Sequence, residues 1–255
     1  EIKVVLDATT QPGFAGTPII EIRGDLAGAG ANGLVITAAG STVRGLVINR
    51  FGGNGILVTG SSNVIVGNYI GTDATGTAAL GNALDGVRIE SGAQFNTIGG
   101  TTVGARNVIS GNAGDGVVMT GSGATGNVVQ GNYIGTDATG MLDLANGLVG
   151  VAVENGASNN QIGGDDDDDG LLDGVVWARN VIAGHDVPAG ADVNISGDAT
   201  TNNRVLGNYI GLNAAGTSAV STNVGINMES GDNNTIGGTT AGAASVRIPV
   251  VASKI

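Results

Sequence analysis

The chain has 255 residues, a formal net charge of −12 and only two lysines, Lys3 and Lys254, so it lacks the clustered basic surface that a nucleic-acid or anionic-membrane partner requires. Its 48 glycines accompany 41% apolar but only 3% aromatic residues, which predicts a folded core of small aliphatic side chains. The absence of cysteine excludes disulfides and thiolate-bound metals, and no apolar run approaches the roughly 18 residues of a membrane span.

Two phrases recur along the chain in step with each other. GNYIGTDATG occurs at 67–76 and again at 131–140, and it returns as GNYIGLNAAG at 207–216. Each copy is followed by a second phrase, which reads ESGAQFNTIGG, ENGASNNQIGG and ESGDNNTIGG in turn. Self-similarity of this kind is typical of a solenoid whose coils stack on one another. We therefore predict a single domain over 1–255, divided in chain order into a leading coil (1–30), regular coils (31–164), an inserted acidic loop (165–179), further coils (180–238) and a terminal coil (239–255).

Within each repeat, apolar residues alternate at the two-residue period of a β-strand. Three series of short strands result. Their inward residues are Ile56, Val87, Val117, Val151, Val193 and Ile226 in the first series, Ile65, Ile98, Val129, Ile162, Val205 and Ile236 in the second, and Ile48, Ile70, Ile109, Ile134, Ile182 and Ile210 in the third. Three short strands per coil predict an all-β fold, a right-handed parallel β-helix of about eight coils.

Asparagines precede the strands of two of these series. They are Asn63, Asn96, Asn127, Asn160, Asn203 and Asn234 before the second series, and Asn68, Asn107, Asn132, Asn180 and Asn208 before the third. Asparagine tolerates left-handed backbone at tight corners, and stacked side-chain amides satisfy one another along an axis. We interpret both rows as scaffolding rather than as a polar binding surface.

The repeat phrases also resemble a known family. TTQPGFAGTPIIEI (9–22), GNYIGTDATG, NTIGGTT and GARNVISGN are similar to the Gly/Asn-rich β-helix repeats of very large secreted or surface proteins of bacteria, in the pectate-lyase-like group. The resemblance covers nearly the whole chain and implies an extracellular or cell-surface location. It implies no defined biochemical role. The chain departs from the pattern in its acidic insertion and in SVRIPV (245–250), which places Arg247 at an inward position.

The acidic insertion carries Asp165, Asp167 and Asp169, then Gly170 and Asp173, a spacing that matches the D-x-D-x-D-G opening and ninth position of an EF-hand-type calcium loop. The twelfth position holds valine instead of the bidentate glutamate, and no helices flank the loop, so an EF-hand is excluded. Adjacent carboxylates repel one another, and a hard divalent cation lets them converge. The sequence predicts a Ca²⁺ site formed by Asp165, Asp167, Asp169 and Asp173; the alternative is a solvated acidic bulge.

No residue set forms a catalytic signature. Asp73 and Asp137 occupy equivalent places in the repeated loop and are interpreted as turn-forming residues. His185 is the only histidine, aligns with Asn112 and is predicted to lie in a turn. Arg179 is the best candidate for the base of a lyase, and the single tryptophan, Trp177, is expected to hold the inserted loop against the coil.

These patterns predict a non-enzymatic extracellular structural or adhesive β-helix module, stabilised by calcium. Most of the chain copies itself, whereas a catalytic site needs unique residues at unique places. The alternative is a calcium-dependent polysaccharide lyase or hydrolase with a lateral groove near residues 165–192. Mixed outward side chains disfavour an ice-binding solenoid. The expected partners are polysaccharides or other cell-surface components, without nucleic acid and without a membrane span.

Overall fold

The computed structural model describes residues 2–165, 168, 175–185, 190–221 and 224–237. Most of the inserted acidic loop and all of the terminal coil (239–255), with Arg247, lie outside these residues. Two short 3-10 helices, Ala8–Thr10 and Val103–Ala105, accompany the strands. The strands are, in chain order, β1 (Val5–Asp7), β2 (Ile20–Arg23), β3 (Leu34–Ile36), β4 (Thr42–Arg44), β5 (Leu46–Asn49), β6 (Ile56–Val58), β7 (Val64–Val66), β8 (Tyr69–Ile70), β9 (Val87–Ile89), β10 (Thr97–Gly99), β11 (Val108–Ile109), β12 (Val117–Thr120), β13 (Val128–Gln130), β14 (Tyr133–Ile134), β15 (Val151–Glu154), β16 (Gln161–Gly163), β17 (Val181–Ile182), β18 (Ala191–Ser196), β19 (Arg204–Leu206), β20 (Tyr209–Ile210), β21 (Val224–Met228) and β22 (Thr235–Ile236).

Every third strand belongs to the same sheet, and all pairings between these strands are parallel. The first sheet runs β1-β4-β7-β10-β13-β16-β19-β22, the second β2-β5-β8-β11-β14-β17-β20, and the third β3-β6-β9-β12-β15-β18-β21. Each strand therefore pairs with its counterpart one coil away. This confirms the predicted parallel β-helix of about eight coils with three strands per coil, and the eight strands of the first sheet span about 34 Å along the axis.

Columns of aliphatic side chains run down the inside of the solenoid. In the second sheet the register aligns Ile48, Ile70, Ile109, Ile134, Ile182 and Ile210. All six are fully buried. The predicted third strand series is therefore confirmed residue by residue, and a short alternating strand suffices because each coil buries its inward side chains against the coils on either side.

The two predicted rows of asparagine form continuous ladders. In each ladder the side-chain Oδ1 of one asparagine accepts the backbone N–H of the aligned residue one coil earlier, as from Asn96 to Asn127 at 2.9 Å and from Asn132 to Asn180 at 2.9 Å. In the middle of a ladder the side-chain Nδ2 also donates to a backbone carbonyl, as Asn132 does to Ile98. The interpretation of both rows as scaffolding is confirmed.

The left-handed backbone lies one residue earlier than expected in the ladder of the first sheet. The asparagines of the ladder do not have positive φ; the residues just before them do, at +55° to +60° for Ser62, Phe95, Asn159, Asn202 and Asn233. Gly126 fills the equivalent place before Asn127 with φ +68°. The corner is turned by this preceding residue, which leaves the asparagine side chain free to point inward and bridge coils.

Candidate functional site

The acidic insertion is described at Asp165, at Asp168 and over 175–179. Asp168 Oδ2 accepts the backbone N–H of Asp165 at 2.8 Å and the side-chain N–H of Gln161 at 3.4 Å. The predicted calcium ligands Asp167, Asp169 and Asp173 lie outside the described residues. Among the residues described, no group of three His, Cys, Asp or Glu side chains is placed to hold a metal ion. The calcium site therefore stays a prediction.

The aspartates of the GTDATG loops close their own turns. Asp73 Oδ1 accepts the N–H groups of Thr77 at 2.9 Å and Ala78 at 3.1 Å, and Oδ2 accepts the Thr75 hydroxyl at 2.6 Å. Partial burial acts to raise the pKa of Asp73, but these hydrogen bonds outweigh it and hold the pKa below its ordinary value. Asp137 accepts two backbone N–H groups of its own loop in the same way. The interpretation as turn-forming residues is confirmed.

A third ladder, absent from our sequence-based predictions, precedes the third sheet. Asn112 Oδ1 accepts the backbone and side-chain N–H groups of Asn82 at 3.3 and 2.8 Å, and Asn146 Oδ1 accepts those of Asn112 at 3.1 and 2.9 Å. The sequence signal is an asparagine four residues before the glycine that precedes β9, β12 and β15. In the next coil the ladder position is occupied by His185, whose Nε2 lies 3.3 Å from Asn146 Nδ2.

His185 belongs to a buried polar node with Asp192 and Ser221. His185 Nδ1 lies 3.0 Å from Asp192 Oδ1, which also accepts the Ser221 hydroxyl at 2.9 Å. The three residues are 1%, 1% and 3% exposed, respectively. The register aligns Asp192 with Gly150 and Gly116, so it places a carboxylate where neighbouring coils have no side chain. The histidine that replaces a ladder asparagine therefore contacts the aspartate that replaces a glycine.

The node does not have the geometry of a nucleophilic triad. In such a triad the histidine lies between serine and aspartate, whereas here the Asp192 carboxylate bridges Ser221 and His185. Burial raises the pKa of Asp192, and its hydrogen bond with His185 offsets this only in part. Among the described residues, the buried Asp192 Oδ2 has no hydrogen-bond partner. The arrangement couples coils and leaves no nucleophile beside a base.

The hydrogen bonds of neighbouring residues determine which ring nitrogen of His185 carries the proton. Asn146 Oδ1 already accepts two N–H groups of Asn112, so the amide orientation is fixed and Nδ2 faces His185 as a donor. His185 Nε2 must then accept, and Nδ1 carries the proton that is donated to Asp192. The ladder therefore selects one tautomer of the imidazole ring.

An acidic pair, Asp85 and Asp115, lies just before strands β9 and β12 of the third sheet. Asp115 Oδ1 accepts the backbone N–H of Val149 at 2.8 Å, and its own N–H donates to Asp85. Burial, with the nearby Asp85 charge, raises the pKa of Asp115 from 3.8 to about 6 against the opposing effect of the Val149 hydrogen bond. Because the folded pKa lies above the unfolded value, Asp115 ionisation costs stability progressively as the pH rises from 3.8 to about 6.

The outer side of the second sheet carries all three tyrosines of the chain. The register aligns Tyr69, Val108, Tyr133, Val181 and Tyr209 in successive coils. Each tyrosine is partly buried. The two-residue period of these strands explains the row, because the following residue in each strand is the inward isoleucine. The aromatic rings therefore form a line parallel to the solenoid axis.

Two arginines cover two of these rings. The guanidinium carbon of Arg106 lies 4.2 Å from the centre of the Tyr133 ring, and that of Arg179 lies 4.1 Å from the centre of the Tyr209 ring. Arg106 Nε donates to the carbonyl of Gly131 at 3.3 Å and Arg179 Nε to that of Gly207 at 2.8 Å. The same five residues, ARNVI, surround each arginine, so the unit is repeated in sequence and in space. We call Tyr69, Tyr133, Tyr209, Arg106 and Arg179 together the tyrosine face.

Two shallow grooves lie along the tyrosine face. One, of about 260 Å³, is lined by Arg106, Tyr133, Trp177, Arg179 and Tyr209, among others. The other, of about 200 Å³, adjoins it through Arg106 and reaches Tyr69. Arg179 and Trp177, two of the residues considered for the predicted lateral groove, line the same surface. His185 does not contribute, because it lies inside the solenoid.

A comparison with protein-family models finds none that matches the chain. A comparison with curated proteins finds no significant match either. The three parallel sheets show that the architecture is a parallel β-helix. The resemblance to bacterial surface repeats of the pectate-lyase-like group stays a prediction.

Proposed function

We propose that the chain is a non-enzymatic extracellular module with a structural or adhesive role. The proposal rests on how the polar side chains of the described residues are hydrogen-bonded. The asparagines of three ladders, the turn aspartates and the only histidine are each held in hydrogen bonds that join or close coils. A catalytic group must be free to touch a substrate. The polar residues of this interior serve the scaffold instead.

The alternative proposal is a calcium-dependent polysaccharide lyase or hydrolase. One observation favours it, since Arg179 and Trp177 line a common groove just after the acidic insertion. Two contacts weigh against a catalytic role for Arg179. Its Nε donates to a backbone carbonyl and its guanidinium is stacked on Tyr209, so the side chain is held against the protein and not against a reacting carbon. We therefore prefer the binding module.

Location, partners and calcium complete the proposal. An extracellular or cell-surface bacterial setting follows from the resemblance of the repeats, and polysaccharides or other surface components are the proposed partners. No helix in the described part of the chain is long and apolar enough to cross a membrane. Calcium bound by Asp165, Asp167, Asp169 and Asp173 is proposed to hold the acidic insertion together by offsetting the repulsion of its carboxylates.

Incubation with polygalacturonate, alginate and hyaluronan, with and without millimolar calcium, tests the role directly. We expect no release of reducing ends or unsaturated products under either condition. In the same samples calcium is expected to raise the melting temperature, because an ion that binds only the folded chain stabilises it. The rise should disappear in Asp167→Ala/Asp169→Ala.

Asp198→Ala/Asp232→Ala is the matched control, since it also removes two exposed carboxylates, and it should keep the calcium effect. Calcium-dependent product release that is lost in Arg179→Gln would replace the proposal with the lyase. An unchanged melting temperature in calcium would remove the metal from the proposal and leave a bare solenoid.

A further inference from the structure

Resting on the adhesive role proposed above, we propose that the tyrosine face binds a linear anionic polysaccharide along the solenoid axis, with Arg106 and Arg179 each engaging an acidic group on every second sugar. The ligand chemistry is shared by carboxylate-bearing and sulfate-bearing glycans. The grooves that flank the face follow the axis, and they would hold an extended chain rather than a compact ligand.

Aromatic residues are concentrated on this face. Of the seven aromatic residues in the chain, five line the two grooves: Phe14, Tyr69, Tyr133, Trp177 and Tyr209. A core built from Val, Ile, Leu and Ala does not need them there. Trp177 is 36% exposed, which leaves part of its ring to contact a ligand. Large, rigid rings with a polar edge suit recognition of sugar rings, which are themselves apolar on their faces and polar at their rims.

The tyrosine face carries two arginines in a protein of net negative charge. The chain carries −12 overall, and most arginines described are neutralised, since Arg23, Arg44, Arg50 and Arg88 each form an ion pair with Asp or Glu. Within the described residues, Arg106 and Arg179 form none and their terminal nitrogens have no hydrogen-bond acceptor. An unpaired guanidinium presents a planar fork that matches a carboxylate or sulfate. The acidic chain therefore presents two guanidinium groups without an ion pair on this surface. Arg204, the third such arginine among the described residues, lies on the first sheet and donates to Gln161.

The spacing of the two arginines narrows the class of polyanion. Arg106 precedes β11 and Arg179 precedes β17, which are two strands apart in the second sheet, so the units repeat at about 10 Å. A nucleic-acid strand carries one phosphate per roughly 3.4 Å of axis, and most of its charges would meet an acidic protein without a partner. A glycan with one acidic group per disaccharide has a charge repeat close to two coils. The lower charge density of such a glycan therefore fits the spacing of the two arginines.

The loops on either side make the face a channel. The repeated loops stack on each other, with Ala138 N–H donating to Gly76 O and Ala214 N–H donating to Gly140 O, both at 2.8 Å. Ala138 and Ala214 line the two grooves from this side, and Trp177 lies in a segment on the other side. From Tyr69 to Tyr209 the face covers five strands of the second sheet, about 19 Å, which accommodates about two charged disaccharides.

Calorimetry with a hyaluronan decasaccharide, which has one carboxylate per disaccharide, tests the inference on the full chain. We expect saturable binding that weakens as salt is added. A neutral chito-oligosaccharide of similar length should not bind measurably, and decagalacturonate and a single-stranded oligonucleotide should bind more weakly. A keratan sulfate oligosaccharide of similar length, which carries sulfate but no carboxylate, distinguishes the two sources of charge, and tighter binding of it than of hyaluronan would assign the arginines to sulfate within the same proposal.

The variants Arg106→Gln and Arg179→Gln should each weaken binding about 10-fold, as expected for loss of one charged hydrogen-bonding group, and the double variant about 100-fold. Arg204→Gln is the matched control, because it removes one charge from the first sheet and should leave the affinity unchanged. Melting temperatures of all variants establish that they fold. Absence of binding, equal binding of the neutral sugar or insensitivity to the double variant would overturn the inference. These results do not test the non-enzymatic role, which is decided only by the assay for product release described above.

Discussion

Replacing His185 by asparagine is expected to lower the free energy of unfolding by about 3–5 kcal/mol, although it restores the residue found at the equivalent ladder positions. The reason is Asp192. Its carboxylate is 1% exposed, and it would lose the imidazole N–H while keeping the Ser221 hydroxyl and the backbone hydrogen bond from position 185. A buried charge that loses its partner costs more than the pair was worth. Urea unfolding at pH 7 measures the loss.

The double variant His185→Asn/Asp192→Gly separates this cause from a general intolerance at position 185. It removes the carboxylate together with its partner and rebuilds the asparagine-glycine combination of the neighbouring coils, as in Asn146 with Gly150. We expect its stability to return to within about 1 kcal/mol of wild type, which gives a coupling energy of several kcal/mol between two contacting sites. Additive effects of the two changes would contradict the account of this node.

Asn132→Ala is expected to destabilise the fold by about 4–6 kcal/mol, because it strands several buried groups that each cost about 1–3 kcal/mol. Asn132 lies in the middle of its ladder. Its Oδ1 accepts two N–H groups of Asn107, and its Nδ2 donates to Ile98 O at 2.8 Å and to Asn180 Oδ1 at 3.0 Å. Removal breaks contacts to the coils on both sides. Chemical unfolding, followed by circular dichroism, gives the value.

Asn194→Ala is the control for the ladder. Asn194 is in β18 but points outward, between the buried Val193 and Ile195, and it donates to Ser196 and accepts from Asn227. Solvent can replace these contacts, so we expect a change of no more than about 1 kcal/mol. Equal losses in the two variants would mean that the buried ladder contributes no more than surface hydrogen bonds do.

The fold was predictable because the same sequence pattern recurs in each coil. One inward isoleucine per strand, a two-residue period and recurring phrases fixed the three sheets, and the column from Ile48 to Ile210 aligned as expected. The left-handed corner was misplaced by one residue in the ladder of the first sheet. Asparagine has both a tolerance for that backbone and a bridging amide, and composition alone does not say which property a position uses.

The candidate site was predictable only in part. Arg179 and Trp177 stood out because they adjoin the insertion, whereas Arg106 and the tyrosines were hidden inside repeated phrases that suggested scaffolding. Their alignment depends on which strands pair, since Tyr133 and Arg106 are 27 residues apart in sequence and one coil apart in space. The partnership of His185 with Asp192 was missed because each exchange looks like an isolated loop irregularity until the register brings the two together.

The central claim, that the polar interior serves the scaffold, is tested most directly by nitrogen-15 NMR of the imidazole ring. His185 is the only histidine, so its signals need no assignment. For the neutral imidazole the account predicts a proton on Nδ1 and none on Nε2, because Asn146 donates to Nε2 and Asp192 accepts from Nδ1. A ring that carries its proton on Nε2, or that exchanges between tautomers as an exposed histidine does, would contradict it.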